Sequence, residues 1–221
     1  MMVDFNTSYY AIDNNANRIY LLNDNYEYVT NKTFICPAYM ITINSNLYIT
    51  GEYNIWKTDK YLNVIIAHNE SGADYRGIYF NCSENLIYAA SKSYTYFQVF
   101  NTNLTLNYTV SVSPNYPFSF YEYNNELYVG TRFGDLVLVI VNKEIIRNFA
   151  ACSNSALNSI VSDTFGVLMI SCPANDLINL YYSNGTYTVN SLTTSPNPMY
   201  VGFDSKGRYV LISKNQISIY H

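Results

Sequence analysis

Four cysteines, two histidines and a few paired charges are the residues of this chain most able to do chemistry. The cysteines are Cys36, Cys82, Cys152 and Cys172, and the histidines are His68 and His221. No CxxC pair occurs, so the spacing does not offer a structural zinc site. Phosphate loops of the GxxxxGK[ST] type are absent, as are GxSxG, HExxH and GxGxxG. Neither histidine has a nucleophile beside it in sequence, and His68, next to Asn69, reads as a solvated link residue. No catalytic residue is assigned and no cofactor or metal is expected. Asp74 with Arg76, and Arg132 with Asp135, read as exposed ion pairs worth well under about 1 kcal/mol or as substrate contacts.

The rest of the polar chemistry is tyrosine and asparagine. The chain has 25 tyrosines and 30 asparagines in 221 residues, but charged residues make up only 13 %, about half the usual share of roughly 25 %. A net charge of −4 with no Lys or Arg cluster argues against nucleic acid. The longest apolar run, residues 136–141, is far short of the roughly 20 residues that span a bilayer. Seven N-x-[ST] sequons occur, at Asn6, Asn31, Asn69, Asn81, Asn103, Asn107 and Asn184, and they are candidate glycosylation sites.

The elements that must carry these residues follow from a repeat. A short apolar segment after a polar turn recurs at Tyr10, Tyr48, Tyr88, Tyr128, Met169 and Val210, with spacings of 38, 40, 40, 41 and 41. Each unit reads as four short strands. The apolar alternation has period two, as in Tyr96-Phe97-Gln98-Val99-Phe100, and the turns hold Asn, Asp, Ser and Gly. Four strands per unit of about 40 residues is the pattern of a propeller blade. The expectation is an all-β, six-bladed β-propeller filling one domain, 1–221. The blades fall at about 1–35, 36–72, 73–113, 114–151, 152–194 and 195–221, the last lacking its outer strand. That blade has three strands by design, belongs to a longer precursor, or takes a strand from a partner at residues 216–221.

Alternating strand directions place Cys152 and Cys172 in one blade and on the face that carries the links between blades. These two are expected to form a disulfide, the alternative being four buried free thiols. The same face receives Tyr53, Tyr75, Tyr94 and Tyr116, with Arg76 and Arg132. Tyrosine rings stack on the apolar faces of sugars, and they give large contact area to proteins. The innermost strands carry Tyr39, Tyr79, Phe118 and Tyr200, with Asp4 the exception, so converging oxygen ligands are not in sight.

The units resemble the NHL and YVTN-type propeller repeats. The resemblance rests on Val201-Gly202-Phe203-Asp204-Ser205-Lys206-Gly207-Arg208-Tyr209-Val210, which is similar to their strand, Asp-x-x-Gly turn and second strand. Asn101-Thr102-Asn103-Leu104-Thr105 is similar to the turn after their third strand. It implies a binding or scaffold module outside the cell, with a minority of lyases and hydrolases, and it carries over no functional residue. The leading expectation is therefore a non-enzymatic module recognising protein or glycan on the blade-link face. The alternatives are a metal-dependent propeller hydrolase or lyase and a subunit assembling through the sixth-blade edge. No signal peptide is present at Met1 to Tyr10, so an extracellular or cell-surface location requires a leader not in this sequence; a cytoplasmic one requires the sequons to be accidental.

Overall fold

The computed structural model describes residues 2–5, 8–133, 135–153, 157–163, 165–193, 197–203, 209–213 and 216–220; for 2–5, 189–193, 216–217 and 219–220 it describes the backbone alone. The chain divides into two compact units, Met1–Ser111 and Val112–His221.

In the first unit, β1 (Met2–Phe5), β2 (Ser8–Asp13), β3 (Arg18–Asn23) and β4 (Tyr28–Thr33) form an antiparallel sheet in sequence order. A six-stranded sheet follows, made of β5 (Tyr39–Ile43), β6 (Asn46–Thr58), β7 (Val64–Asn81), β8 (Leu86–Ser91), β9 (Tyr96–Asn101) and β10 (Leu106–Ser111). The second unit holds the sheet of β11 (Pro117–Tyr123), β12 (Glu126–Thr131), β13 (Leu136–Val141) and β14 (Glu144–Ala150). It also holds the sheet of β15 (Ile160–Ser162), β16 (Val167–Cys172), β17 (Leu177–Tyr182) and β18 (Tyr187–Thr193), and the three-stranded sheet of β19 (Pro198–Phe203), β20 (Tyr209–Ser213) and β21 (Gln216–Tyr220).

The expectation of six separate blades is corrected. Among the described residues four sheets are blade-sized, three with four strands and one with three, and the fifth has six. The second and third repeats share that sheet because β6 and β7, 13 and 18 residues long, run through the places where breaks are expected. Glu52 pairs with Asp74 across them, and a register shift between Glu52 and Asn54 bends the ladder without ending it.

Second strands are buried on both faces, which is why β8, β12 and β16 read as apolar runs in sequence. β14 is exposed along most of its length. The repeat is also written in a five-residue turn. In 23–27, 59–63, 101–105 and 182–186 the first N–H donates to the fifth carbonyl, and the fourth N–H donates to the first carbonyl. The fourth residues, Tyr26, Leu62, Leu104 and Gly185, all have φ between +60° and +87°. A leucine at such an angle is costly, and Leu62 and Leu104 offset it by burial in the two cores of the first unit.

The marker tyrosines lock onto these turns. The hydroxyl of Tyr10 donates to the Lys60 carbonyl (2.7 Å), and that of Tyr48 to the Thr102 carbonyl (2.7 Å). Tyr128 reaches the Ser183 carbonyl (3.0 Å) while sharing its proton with Glu126 Oε2 (2.6 Å). Each acceptor is the second residue of a turn one repeat further on. Tyr88 is different: its hydroxyl donates to Glu84 within its own sheet (2.7 Å). Tyr10→Phe and Tyr48→Phe keep the packed ring and remove the hydroxyl donor, the Thr102 carbonyl still accepting from Lys57 Nζ at 3.1 Å. Each is expected to cost about 1–2 kcal/mol in urea unfolding. Tyr28→Phe, on a residue 62 % exposed, should stay within about 0.5 kcal/mol. Equal effects at all three positions would refute the lock.

Candidate functional site

Gly51 is the positional key to the polar face of the first unit. A Cβ there would lie 2.5 Å from the Ile35 carbonyl oxygen and 2.9 Å from that of Cys36, so only glycine lets β6 approach the 35–36 link. The approach sets Glu52 beside Cys36 and Tyr53, both held at positive φ (+44° and +63°). The Glu52 carboxylate acts on both the thiol and the Tyr53 hydroxyl. Across the ladder stands Asp74, with Arg76 Nε at 2.6 Å from its Oδ1 and Lys92 Nζ on its Oδ2. Two carboxylates, two cations, a thiol and a phenol thus converge. Burial and the Glu52 carboxylate push the Cys36 thiol up; the Glu52 carboxylate pushes the Tyr53 phenol up.

A second group lies along the same stretch of β7. Tyr75 was expected at the surface, but it is fully buried (0 %) in the core with Tyr48, Ile55 and Phe100. Its place is inside strand β7 rather than in a link, so its ring faces the core. Its hydroxyl donates to Gln98 Oε1 at 2.6 Å and lies 3.0 Å from Glu70 Oε2. Gln98 Nε2 donates to the same carboxylate oxygen at 2.7 Å. His68 is not a solvated loop residue: it pairs with Ile55 inside the sheet, packs edge-on to Phe100 (4.8 Å), and holds Nε2 3.5 Å from Glu70 Oε2. Burial alone would raise the Glu70 carboxyl, but the Gln98 amide, the Tyr75 hydroxyl, the nearby His68 ring and the Tyr94 hydroxyl outweigh it and hold it below the usual range. Tyr94 stacks on Tyr96, with centroids 4.8 Å apart and planes 9° apart. Burial, then the Glu70 charge, pushes both phenols up.

In the second unit Tyr116 and Arg132 come together around Phe133. Tyr116 meets the Phe133 ring edge-on at 5.5 Å, and the Arg132 guanidinium lies over it at 4.8 Å. Cys152 and Cys172, both buried, are joined by a disulfide; Cys36 and Cys82 are free.

The sequons separate by environment. Asn81 is buried, donates to the Tyr88 hydroxyl and accepts from Ser83 and Glu84. Asn69 Nδ2 donates to Asn54 and Asn31 Nδ2 to the Tyr28 hydroxyl. Asn103 and Asn184 sit in exposed five-residue turns, accepting from the backbone of Thr105 and Thr186, and Asn107 is exposed in β10. Asn6, His221 and the turn 204–208 lie outside the described residues, as does the side chain of Asp4. Among the described residues no three His, Cys, Asp or Glu side chains group as metal ligands, and no helix is long and apolar enough to cross a membrane.

Glu52, Glu70, Lys92 and Gln98 escaped the sequence reading. The one available signal was scarcity: with only 16 Asp and Glu in the chain, carboxylates next to aromatic segments stand out.

No protein-family model matches the chain, and no curated protein sequence does. Solved structures do match it. The WD40 domain of Neurospora crassa Pan2 is 8 % identical, with a TM-score of 0.78 over 99 % of this chain and 74 % of that one. The fold is a β-propeller. Virginiamycin B lyase from Staphylococcus aureus, in a catalytically inactive variant with quinupristin, is 11 % identical, with a TM-score of 0.79 over 99 % of this propeller and 82 % of that chain. A streptogramin B lyase is 14 % identical, with a TM-score of 0.77 over 99 % and 80 %. At such identities the likeness concerns the fold alone.

Proposed function

We propose that this propeller is a non-enzymatic binding module that acts outside the cell and recognises a protein or glycan with its blade-link face. One observation carries this reading. Tyr94 and Tyr96 stack with ring planes 9° apart next to the half-buried Glu70 carboxylate, an aromatic platform with a charge beside it of the kind that contacts protein or glycan. In the first unit Tyr53, Arg76 and Tyr94 are contact residues, with Tyr75 acting from behind beside Glu70; in the second unit Tyr116 and Arg132 are contact residues. The low charge, the exposed sequons at Asn103, Asn107 and Asn184, and the Cys152–Cys172 disulfide support an extracellular setting.

The test is a glycan and extracellular-protein array probed with the wild-type chain and with the double variant Tyr53→Ser/Tyr94→Ser. Binding to a narrow set of ligands is expected, at least about tenfold weaker in the double variant at unchanged melting temperature. Identical binding by the two proteins would exclude the face. A second reading, a metal-dependent lyase, draws on the two lyases of the same fold. A rise in melting temperature with Mg²⁺ or Mn²⁺ would favour it.

A further inference from the structure

We propose that Glu70, Tyr94 and Tyr96 form a receptor for a primary alkylammonium group, the side chain of a lysine on a partner protein. The proposal rests on the blade-link face being the binding surface, and it names what one part of that face takes.

Glu70 is a half-buried anion that accepts from the Gln98 amide, with the Tyr75 hydroxyl at 3.0 Å, His68 Nε2 at 3.5 Å and the Tyr94 hydroxyl beside it. The two cations of the neighbouring group, Arg76 and Lys92, are both engaged by Asp74. A carboxylate held by fixed neutral dipoles keeps its charge available to an incoming cation. Tyr75 and Gln98, 0 % and 4 % exposed, come from the core, so the carboxylate is held from behind and does not need to reorganise on binding. Tyr75, Gln98 and His68 all address Oε2, and none of these three addresses Oε1.

The second component is the parallel stack of Tyr94 on Tyr96. A stacked pair of half-buried rings offers an electron-rich face that attracts ammonium ions. The backbone beside the Tyr94 hydroxyl is open: a Cβ built at Gly72 would meet only that hydroxyl within 4 Å, at 3.6 Å. Carboxylate and ring face together match an ammonium with an apolar stem, whose methylenes lie on the rings while the head bonds Glu70. A neutral alcohol of the same length meets the rings but not the charge.

The test titrates n-butylammonium chloride into the full chain labelled at the tyrosine rings and follows the Tyr94 and Tyr96 ring resonances by NMR; n-butanol is the neutral control. Saturable shifts of both rings with the amine, and none with the alcohol, are expected. Glu70→Gln, which keeps an acceptor for Gln98, should weaken the amine at least about tenfold, and Tyr94→Leu about fivefold. Equal shifts with n-butanol, no saturation up to about 100 mM, or unchanged affinity in a folded Glu70→Gln protein would overturn the proposal. If Glu70→Gln does not fold, Tyr94→Leu, in a half-exposed loop position, decides alone. A failed amine titration with array binding intact refutes the ammonium receptor only. Amine binding with array binding indifferent to Tyr53→Ser/Tyr94→Ser refutes the face.

Discussion

Between pH 10 and about 12 the protein is expected to unfold cooperatively, driven by its buried tyrosines. Burial is the main cause in each case: it raises the phenols of Tyr10, Tyr75, Tyr88 and Tyr128 above their ordinary value near 10. Carboxylates add to it, Asp59 for Tyr10, Glu70 for Tyr75, Glu84 for Tyr88 and Glu126 for Tyr128. Tyr10 is pushed up to about 12. The sign follows from linkage. The folded state holds these protons more tightly than the unfolded chain does. The associated stability is therefore complete below pH 10 and is lost as the pH rises towards the folded value. For Tyr10, 1 % exposed, that rise amounts to about 3 kcal/mol, against a typical domain stability of about 5–15 kcal/mol. With three more such residues the combined loss is comparable to that whole stability. Absorbance at the tyrosinate band, followed together with far-ultraviolet circular dichroism, should show two classes. One class ionises with the sheet signal intact, and the buried phenols of Tyr10, Tyr75, Tyr88 and Tyr128 ionise only as that signal collapses. If all 25 tyrosines titrated together near pH 10 with an unchanged sheet signal, the burial argument would be wrong.

Removing the disulfide is expected to cost about 3 kcal/mol. Cys152 and Cys172 are 20 residues apart, and closing a loop of that length withdraws roughly this much entropy from the unfolded chain. The native neighbourhood does not replace it. The Ala151 carbonyl accepts from Asn179 Nδ2 at 2.8 Å and from the Tyr181 hydroxyl at 3.2 Å, which hold the folded segment but leave the unfolded chain unconstrained. The double variant Cys152→Ala/Cys172→Ala should therefore melt about 6–12 °C lower. Peptide mapping without reductant should recover one cross-linked pair and two free thiols, Cys36 and Cys82. Four alkylatable thiols in the unreduced protein would remove the premise, and an unchanged melting temperature in the double variant would remove the energetic claim.

How far the residues can be read without coordinates differs element by element. The period-two alternation of residues 96–100 and the apolar run of residues 136–141 become β9 and β13. Tyr10, Tyr48 and Tyr128 recur because each must reach a turn carbonyl one repeat on, a constraint that shows as spacing. Tyr75 defeats the same logic. It stands between sequence features that suggest a link, but β7 runs through without a break and turns its ring into the core. Glu52 opposite Asp74 and Glu70 beneath Gln98 are joined by register between strands, and no local signal announces either pair.

By itself, then, the sequence determined the class of element, the repeat length and the chemistry of the turns. All three depend on contacts within a few residues, where backbone preference and alternation act directly. Only the tertiary structure decided that two repeats share a six-stranded sheet, that Tyr75 is core, and that scattered carboxylates, phenols and cations make one polar face. Those outcomes depend on which strands pair and in which register, and a shift of one residue would exchange the buried and exposed faces of the whole strand.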